Sequence, residues 1–200
     1  MKPARLPAFL AAGVLCACGP AADGAAGDPA RDADSMAEAA ELAAREACGD
    51  AATISGNGVG TLTLGMSVTA ARDACDMRDT TFTLGEGLME SGLTTSLAAG
   101  GAIVALTTDS DSVLRLIVTG AGPATEQGIG VGSSIASVRE AYPDACVMSG
   151  EGRLVAIAPN TGVSFMTTSP VGPANPRIEN VPDTTTVFQV IVHGSDGVCP

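Results

Sequence analysis

The stretch G-M-S-V-T-A-A-R-D-A-C at residues 65–75 occurs a second time as G-S-S-I-A-S-V-R-E-A-Y at residues 132–142. In both copies a serine, Ser67 or Ser134, stands where its side chain can cap the amino end of a helix. Apolar residues follow at helical spacing and give each helix one buried stripe. The repeated stretch therefore predicts two short amphipathic helices at equivalent places in two tandem units.

The two units also end alike, because V-L-R-L-I-V-T-G at 113–120 parallels V-F-Q-V-I-V-H-G at 187–194. Between each helix and this last strand lie runs rich in β-branched residues, at 80–84 and 103–108, and at 146–149, 154–158 and 163–168. Such runs indicate antiparallel strands joined by hairpin turns. We therefore expect an α+β fold with repeats at 58–122 and 123–200. Each repeat is one helix followed by an antiparallel meander, and the helices pack on one face of a sheet.

The opening of each unit resembles a known group of helix-then-sheet repeats. The matching residues are L-G-M-S at 64–67 with Val68 and Ala71, and V-G-S-S at 131–134 with Ile135 and Val138. This pattern is similar to the small outer-membrane assembly lipoproteins of the SmpA/OmlA type and to the tandem repeats of β-lactamase inhibitory protein. The pair of helices that this group usually has in each unit is not evident here. The resemblance implies a partner-binding role rather than chemistry.

The amino terminus carries an export signal. Lys2 and Arg5 precede an apolar run at 6–15, which is too short to span a bilayer. The stretch L-C-A-C-G at 15–19 resembles the lipobox of bacterial lipoproteins, which implies cleavage after residue 17, lipidation of Cys18 and, with Gly19 next, an outer-membrane destination. The alternative is an ordinary cleaved signal peptide with incidental cysteines.

The segment that follows the signal peptide links the membrane anchor to the repeats. Residues 18–33 are mostly Gly, Ala, Asp and Pro, a composition that predicts a disordered tether. Ser35 and Glu38 form a capping box, so a short helix is predicted within 34–49.

Four cysteines remain after Cys18 is assigned to lipid, namely Cys48, Cys75, Cys146 and Cys199. An even number in an exported chain predicts two disulfides, and four cysteines allow three pairings. We favour Cys48–Cys75 and Cys146–Cys199, because each bond ties a flanking segment to one repeat. No two of these cysteines have the short spacing of a metal site, so no metal is predicted.

Charge and composition exclude several functions. Loss of Lys2 and Arg5 with the signal peptide leaves eight arginines against 22 acidic residues, a net charge of −14. Such a surface repels nucleic acid, although it also suits an exported protein that must only stay soluble. His193 is the single histidine, and no G-x-S-x-G motif supplies a serine for a catalytic triad. No catalytic residue and no cofactor are therefore predicted.

These observations predict a non-enzymatic envelope lipoprotein. Its lipid would hold it in the outer membrane, on the periplasmic or the outer side, and its repeats would present a sheet face or loops to a protein partner. The Pro-rich insertion at 169–183 is one such loop, or only a tolerated surface insertion. Two other functions stay open. One is an inhibitor or sensor that binds a secreted enzyme or a small ligand, and the other is a hydrolase that uses His193.

Overall fold

The computed structural model describes residues 36, 48–83, 87, 89–108, 111–150, 152–170, 177–194 and 199. The predicted signal peptide at 1–17 and the tether at 18–33, with Cys18, lie outside the described residues. Most of the predicted helix within 34–49 lies outside them too, although Met36 is helical and Cys48 is in a turn.

The described elements are twelve strands, two short helices and one 3-10 turn. The first half contains β1 (Thr53–Ser55), β2 (Gly58–Val59), β3 (Leu62–Thr63), α1 (Val68–Cys75), β4 (Arg78–Thr83), β5 (Met89–Ser96), β6 (Ala102–Thr107) and β7 (Val113–Val118). The second half contains β8 (Ala124–Thr125), α2 (Ile135–Ala141), β9 (Cys146–Gly150), β10 (Arg153–Ala158), β11 (Val163–Pro170), a 3-10 turn (Ile178–Asn180) and β12 (Val187–Val192).

The strands form one large and one small sheet. The large sheet has eight strands in the order β4-β5-β6-β7-β12-β11-β10-β9, all paired antiparallel. It is two meanders joined through their last strands. Ile117 pairs with Ile191, Val118 with Val190, and Leu116 with Val192. Because residues 117 and 191 hold equivalent places in the two meanders, a local two-fold axis passes between them.

The small sheet has the strand order β3-β2-β1-β8, and it joins the two halves of the chain because β1 pairs parallel with β8. It was not predicted from the sequence. Its strands contain two or three residues each, too few to show a period of two.

The predicted α+β class is wrong, because the described chain is mainly β. Its twelve strands far outweigh the two helices, which contain eight and seven residues. The sequence interpretation also missed β5, since Gly92 and the serines around it indicate a loop. In the structure Gly92 is needed inside the strand, because a Cβ atom there would lie 2.5 Å from the carbonyl oxygen of Ala105.

The repeated motif forms the same local structure twice. The predicted N-caps are confirmed: the Ser67 hydroxyl accepts from the Ala70 N–H, and the Ser134 hydroxyl accepts from the Ser137 N–H. Each motif also hydrogen-bonds to the start of the last strand of its meander. The N–H of Gly65 donates to the carbonyl of Val113 at 2.7 Å, and that of Gly132 donates to Val187 at 2.8 Å.

The main core lies between the large sheet and the layer that holds the helices and the small sheet. Ala71 and Cys75 of α1, and Ile135 and Val138 of α2, belong to the same buried cluster as inward-facing strand residues. Phe165 is its largest fully buried side chain, and the ring of Tyr142 packs against it at 5.6 Å between centroids. One side of the large sheet thus packs against the helices and the small sheet.

Candidate functional site

The other side of the large sheet, which we call the outer face, carries two further apolar clusters. One consists of Val104, Leu106 and Ile117 with Phe82 and Ala102 packed against them. The other consists of Val155, Ile157 and Met166 with Cys146, Phe188 and Ile191 packed against them. Every member is a side chain of the sheet's own strands. Each repeat therefore contributes one apolar cluster to the outer face.

Strand register places the two clusters side by side. Val104 pairs with Ile117, Ile117 pairs with Ile191 across the local two-fold axis, and Ile191 pairs with Ser164. Ser164 pairs in turn with Ile157, which pairs with Cys146. The outer face thus has one nearly continuous apolar row that crosses six strands, and the single polar member of that row is Ser164.

A β-bulge occurs at the same place in both repeats. Leu106 pairs with Arg115 and Thr107 with Val113, which leaves Leu114 as the extra residue. In the second repeat Phe188 is left in the same way. A bulge bends its strand and turns side chains out of the regular alternation. Leu114 is 55% exposed as a result, whereas Phe188 is half-buried and lies 5.4 Å from the guanidinium carbon of Arg153.

The outer face has a buried apolar centre, and exposed apolar side chains lie around that centre. The six central residues Val104, Leu106, Ile117, Val155, Ile157 and Met166 are at most 8% exposed. Leu114 is exposed at one end of the face, and Met148, which pairs with Val155, is 42% exposed. A closed centre with exposed large apolar side chains around it is an arrangement that can bury further area against a partner.

The sequence contains a signal for an apolar outer face in two of its predicted strands. Residues 103–106 and 154–158 are continuous apolar runs rather than alternating ones. A continuous run in a strand means that both faces of the sheet are apolar.

His193 lies at the edge of the outer face and contacts Ser164. Its Nε2 is 2.8 Å from the Ser164 Oγ, so one of the two donates a hydrogen bond according to the histidine tautomer. The equivalent positions in the first repeat are Thr119 and Val104, and Thr119 instead donates to the carbonyl of Ala102. The polar pair is therefore a feature of the second repeat alone.

The Ser164–His193 pair has the chemistry of a hydrolase dyad but not its geometry. Ser164 is only 6% exposed, in a strand that pairs on both sides with Ile157 and Ile191. The backbone N–H groups of such a strand are used by the ladder, whereas an oxyanion hole needs N–H groups directed at the reacting oxygen. Hydrolysis by His193 thus has a serine in reach that the sequence did not identify, but the described strand around Ser164 directs its N–H groups to the ladder and not to an oxyanion.

The structure contains two disulfides with the pairing that the sequence favoured. Cys48 bonds to Cys75, with Cα atoms 5.6 Å apart, and both residues are buried in the main core. Cys146 bonds to Cys199, with Cα atoms 5.8 Å apart, and both are half-buried. The second bond holds the carboxyl-terminal end beside β9, the edge strand of the second meander.

A small cleft lies where β1, β8 and the turn after β10 meet the end of α2, and its volume is about 220 Å³. Its polar lining residues are Ser55, Thr125, Glu126, Gln127, Tyr142 and Thr161. The Tyr142 hydroxyl donates to Gln127 Oε1 at 2.9 Å. Burial raises the pKa of Tyr142; a hydrogen bond with Thr125 opposes this shift, and the charge of Glu126 adds to it. The cleft is smaller than the 300 Å³ or so of a typical ligand pocket, so it fits only a small polar group.

The Pro-rich insertion is anchored to the core rather than wholly exposed. Residues 169 and 170 continue β11, and Ile178 and Val181 are buried in the main core. Asp183 forms an ion pair with Arg139 of α2. Residues 171–176, the centre of the proposed recognition loop, lie outside the described residues.

The described part of the chain shows neither a metal site nor a membrane-spanning helix. Within it, no group of three His, Cys, Asp or Glu side chains converges to hold a metal ion. None of the helices that the structure describes is long and apolar enough to cross a membrane.

Comparison with known proteins gives a fold relative but no family. No protein-family model matches the chain, and no curated protein matches it. Among solved structures, the chain is similar to the crystal structure of the uncharacterised protein YfeY from Escherichia coli, with a TM-score of 0.52 and 17% sequence identity. The match covers 70% of this chain and 99% of that one. At this identity the similarity shows a shared fold alone.

Proposed function

We propose that this chain is a non-enzymatic envelope lipoprotein that binds a protein partner through the outer face. The observation that carries the proposal is the pair of apolar clusters that meet across the local two-fold axis, with Leu114 and Met148 exposed beside them. Residues that fold a protein are expected to lie between its layers, as the main core does. The centre of the second apolar surface is already buried, so the area that a partner would cover is that of the exposed apolar side chains beside it, Leu114 and Met148.

The exposed rim residues give the surface its binding energy. Full burial of a leucine side chain stabilises by about 2 kcal/mol, so covering the exposed half of Leu114 would contribute about 1 kcal/mol. Met148 would contribute a similar amount. Binding energy in protein interfaces is concentrated in a few such side chains around a desolvated centre. The closed centre of the outer face and its rim have this arrangement.

Membrane attachment through Cys18 is part of the proposal. The lipobox-like sequence at 15–19 supports lipidation, and the two disulfides suit an oxidising compartment outside the cytoplasm. Mass spectrometry of the natural protein tests this part. We expect a mature chain that begins at an acylated Cys18, and a chain that begins at Met1 or carries no lipid would contradict it.

The binding test compares exposed apolar residues on and off the outer face. Residues 18–200 are immobilised and used to capture partners from detergent-solubilised envelopes, with Leu114→Asp and Met148→Asp as variants. Met89→Asp is the matched control, because Met89 is 64% exposed but belongs to neither outer cluster. Surface changes of this kind cost stability roughly 0.5 kcal/mol or less.

We expect the two outer-face variants to lose a specific partner at least about tenfold, which corresponds to 1.4 kcal/mol, while Met89→Asp retains it. The proposal fails if the unmodified protein repeatedly recovers nothing specific, or if all three variants behave alike.

A second candidate function is the sensing of a small polar ligand, and the cleft beside Tyr142 favours it. The test measures the unfolding temperature with a panel of free amino acids and monosaccharides, for the unmodified protein and for Gln127→Ala. A ligand that raises the unfolding temperature of the first protein but not of the second would support this function. If no compound produces a difference, the cleft is only a packing irregularity.

A further inference from the structure

The two edge strands of the eight-stranded sheet, β9 and β4, differ in what lies beside them. At the β9 edge, the disulfide from Cys146 holds Cys199 close to the strand. At the other edge, β4 runs in regular register with β5 over six residues, from Arg78 opposite Thr94 to Thr83 opposite Met89. An edge strand offers unpaired N–H and C=O groups that can template another strand, so proteins usually protect their edges.

The direction of the β4 hydrogen-bonding groups follows from the strands beside it. The Leu97 N–H donates to the carbonyl of Gly101, so odd-numbered residues of β5 direct their backbone groups toward β6 and even-numbered ones toward β4. Thr80 and Phe82 pair with even-numbered residues and therefore bond to β5. The N–H and C=O groups of Asp79, Thr81 and Thr83 consequently point away from the sheet.

In the part of the chain that the structure describes, the charged side chains that protect the β4 edge, Arg78 and Asp79, are confined to its first two residues. Its sequence, R-D-T-T-F-T, contains no proline, glycine or lysine, and its pairing with β5 has no bulge. Three threonines and a phenylalanine are residues that favour the extended conformation. The outward-directed residues Asp79, Thr81 and Thr83 are all exposed. Among the residues that the structure describes, no strand pairs with β4 on this side, so one more strand can be added there.

The outer face reaches this edge. Phe82 belongs to the apolar cluster of Val104, Leu106 and Ile117, and its ring covers the space that the missing Cβ of Gly92 leaves. A strand added to β4 would place its alternate side chains beside Phe82 and Thr80, next to the first apolar cluster. The edge and the outer face thus form one continuous surface.

The charges of the residues near β4 favour a basic partner segment over an acidic one. Two of the exposed carboxylates near β4 are paired with arginine, Asp79 with Arg72 and Asp76 with Arg78. The further exposed carboxylates of Asp73 and Glu90 leave this edge with a net negative charge. The mature chain carries a net charge of −14, counted as eight arginines against 22 acidic residues. A second copy would bring the same excess of carboxylates to the contact, which is unfavourable, whereas a basic segment would be attracted.

We propose that β4 is a docking edge for an extended segment of the partner protein, with alternating apolar and basic residues, which adds to the sheet as a ninth strand. This inference rests on the proposed protein-binding function and specifies how the partner is held. Backbone hydrogen bonds from Asp79, Thr81 and Thr83 would give affinity, and the side chains beside Phe82 would give specificity.

The test removes one outward N–H group. Thr81→Pro deletes a donor that takes no part in the β4–β5 ladder, a position at which an edge strand tolerates proline. Thr81→Val is the matched control, because it keeps the N–H group and the branched shape. Thr83→Pro, at the end of the same strand, replaces Thr81→Pro if that variant does not fold by circular dichroism.

The probe is a synthetic peptide of about six residues, the length of a common strand, with alternating valine and arginine. A peptide of the same composition in scrambled order and one with glutamate in place of arginine serve as controls. Amide hydrogen exchange at residues 79, 81 and 83 is measured with and without each peptide.

We expect the alternating basic peptide to slow exchange at residues 79, 81 and 83 by roughly tenfold in the unmodified protein and in Thr81→Val. In Thr81→Pro, which has no amide hydrogen at residue 81, we expect no slowing at residues 79 and 83. Equal protection by the glutamate peptide, or protection at residues remote from β4, would overturn the proposal. So would protection at β4 without peptide in a protein that sediments as a dimer, because the occupant would then be a second copy. If the captured envelope partner binds Thr81→Pro normally but not Leu114→Asp, the edge proposal fails while the proposed function stands.

Discussion

The two disulfides differ in environment, and this difference predicts which of them stabilises the protein more. The Cys48–Cys75 bond spans 27 residues and the Cys146–Cys199 bond spans 53. Closing loops of these sizes in the unfolded chain is worth about 3.6 and about 4.2 kcal/mol, respectively, from chain entropy. Chain entropy alone therefore predicts that loss of the second bond costs more.

The packing around the two disulfides reverses the order of stabilisation that chain entropy predicts. Cys48 and Cys75 are buried in the main core, where the Thr61 hydroxyl lies 2.9 Å from the Cys48 Sγ. Replacing both by alanine also removes two buried sulfur atoms, at about 1 kcal/mol each. Cys146 and Cys199 are half-buried, so their removal leaves little cavity. We expect Cys48→Ala with Cys75→Ala to cost about 5.5 kcal/mol, and the other double variant about 4 kcal/mol.

Urea unfolding followed by far-ultraviolet circular dichroism measures both free energies. A loss of about 5.5 kcal/mol is at least a third of the roughly 5–15 kcal/mol by which an ordinary domain is stable, so the first double variant should unfold at a markedly lower urea concentration. The reference is the unmodified protein with both bonds intact, and the same protein reduced under unfolding conditions gives the cost of losing both bonds together. If the Cys146–Cys199 variant proves the less stable of the two, the burial argument is wrong and loop entropy dominates.

Two further changes test the sheet and the cleft. Gly92→Ala places a Cβ atom 2.5 Å from a backbone oxygen of the adjacent strand, so it should cost about 2 kcal/mol in urea unfolding. An unchanged free energy would mean that β5 moves freely away from β6. Burial raises the pKa of Tyr142 above its ordinary value of 10.0, so the folded state retains the proton longer than the unfolded state does. The stability that this provides is complete below pH 10.0 and is lost as the pH rises through the folded pKa. Tyr142→Phe should abolish this loss, and because Tyr142 is the only tyrosine and no tryptophan is present, its phenolate absorbance reports the pKa directly.

Local signals in the sequence were sufficient to predict the helices and the central strands. A serine cap and an apolar stripe depend on a few consecutive residues, so 65–75 and 132–142 could be interpreted without knowledge of the fold. The last strands of the two meanders, β7 and β12, were equally clear from their matching sequences. Their antiparallel pairing through Ile117 and Ile191 follows once two similar units share one sheet.

The fold class and the binding surface could not be obtained in the same way, because they depend on contacts between distant residues. The pairing of Thr53 with Ala124 joins strands about seventy residues apart, and neither strand is long enough to show a pattern. Gly92 indicates a loop until the carbonyl of Ala105 is known to lie against it. The outer face exists only when residues of two repeats are brought together by the β7–β12 pairing.

Comparison of the two repeats separates residues that serve folding from those that can serve function. The serine caps, the glycines before them and the paired bulges occur in both repeats, and each has a structural role in both. A partner that contacted only these shared features could bind in two orientations related by the local axis. One orientation requires features present once. These are the Ser164–His193 pair and the disulfide beside β9 in the second repeat, and in the first repeat the β4 edge, with which no further described strand pairs. An extended segment on β4 contacts one end of the sheet only, so it fixes the orientation that the apolar clusters leave open.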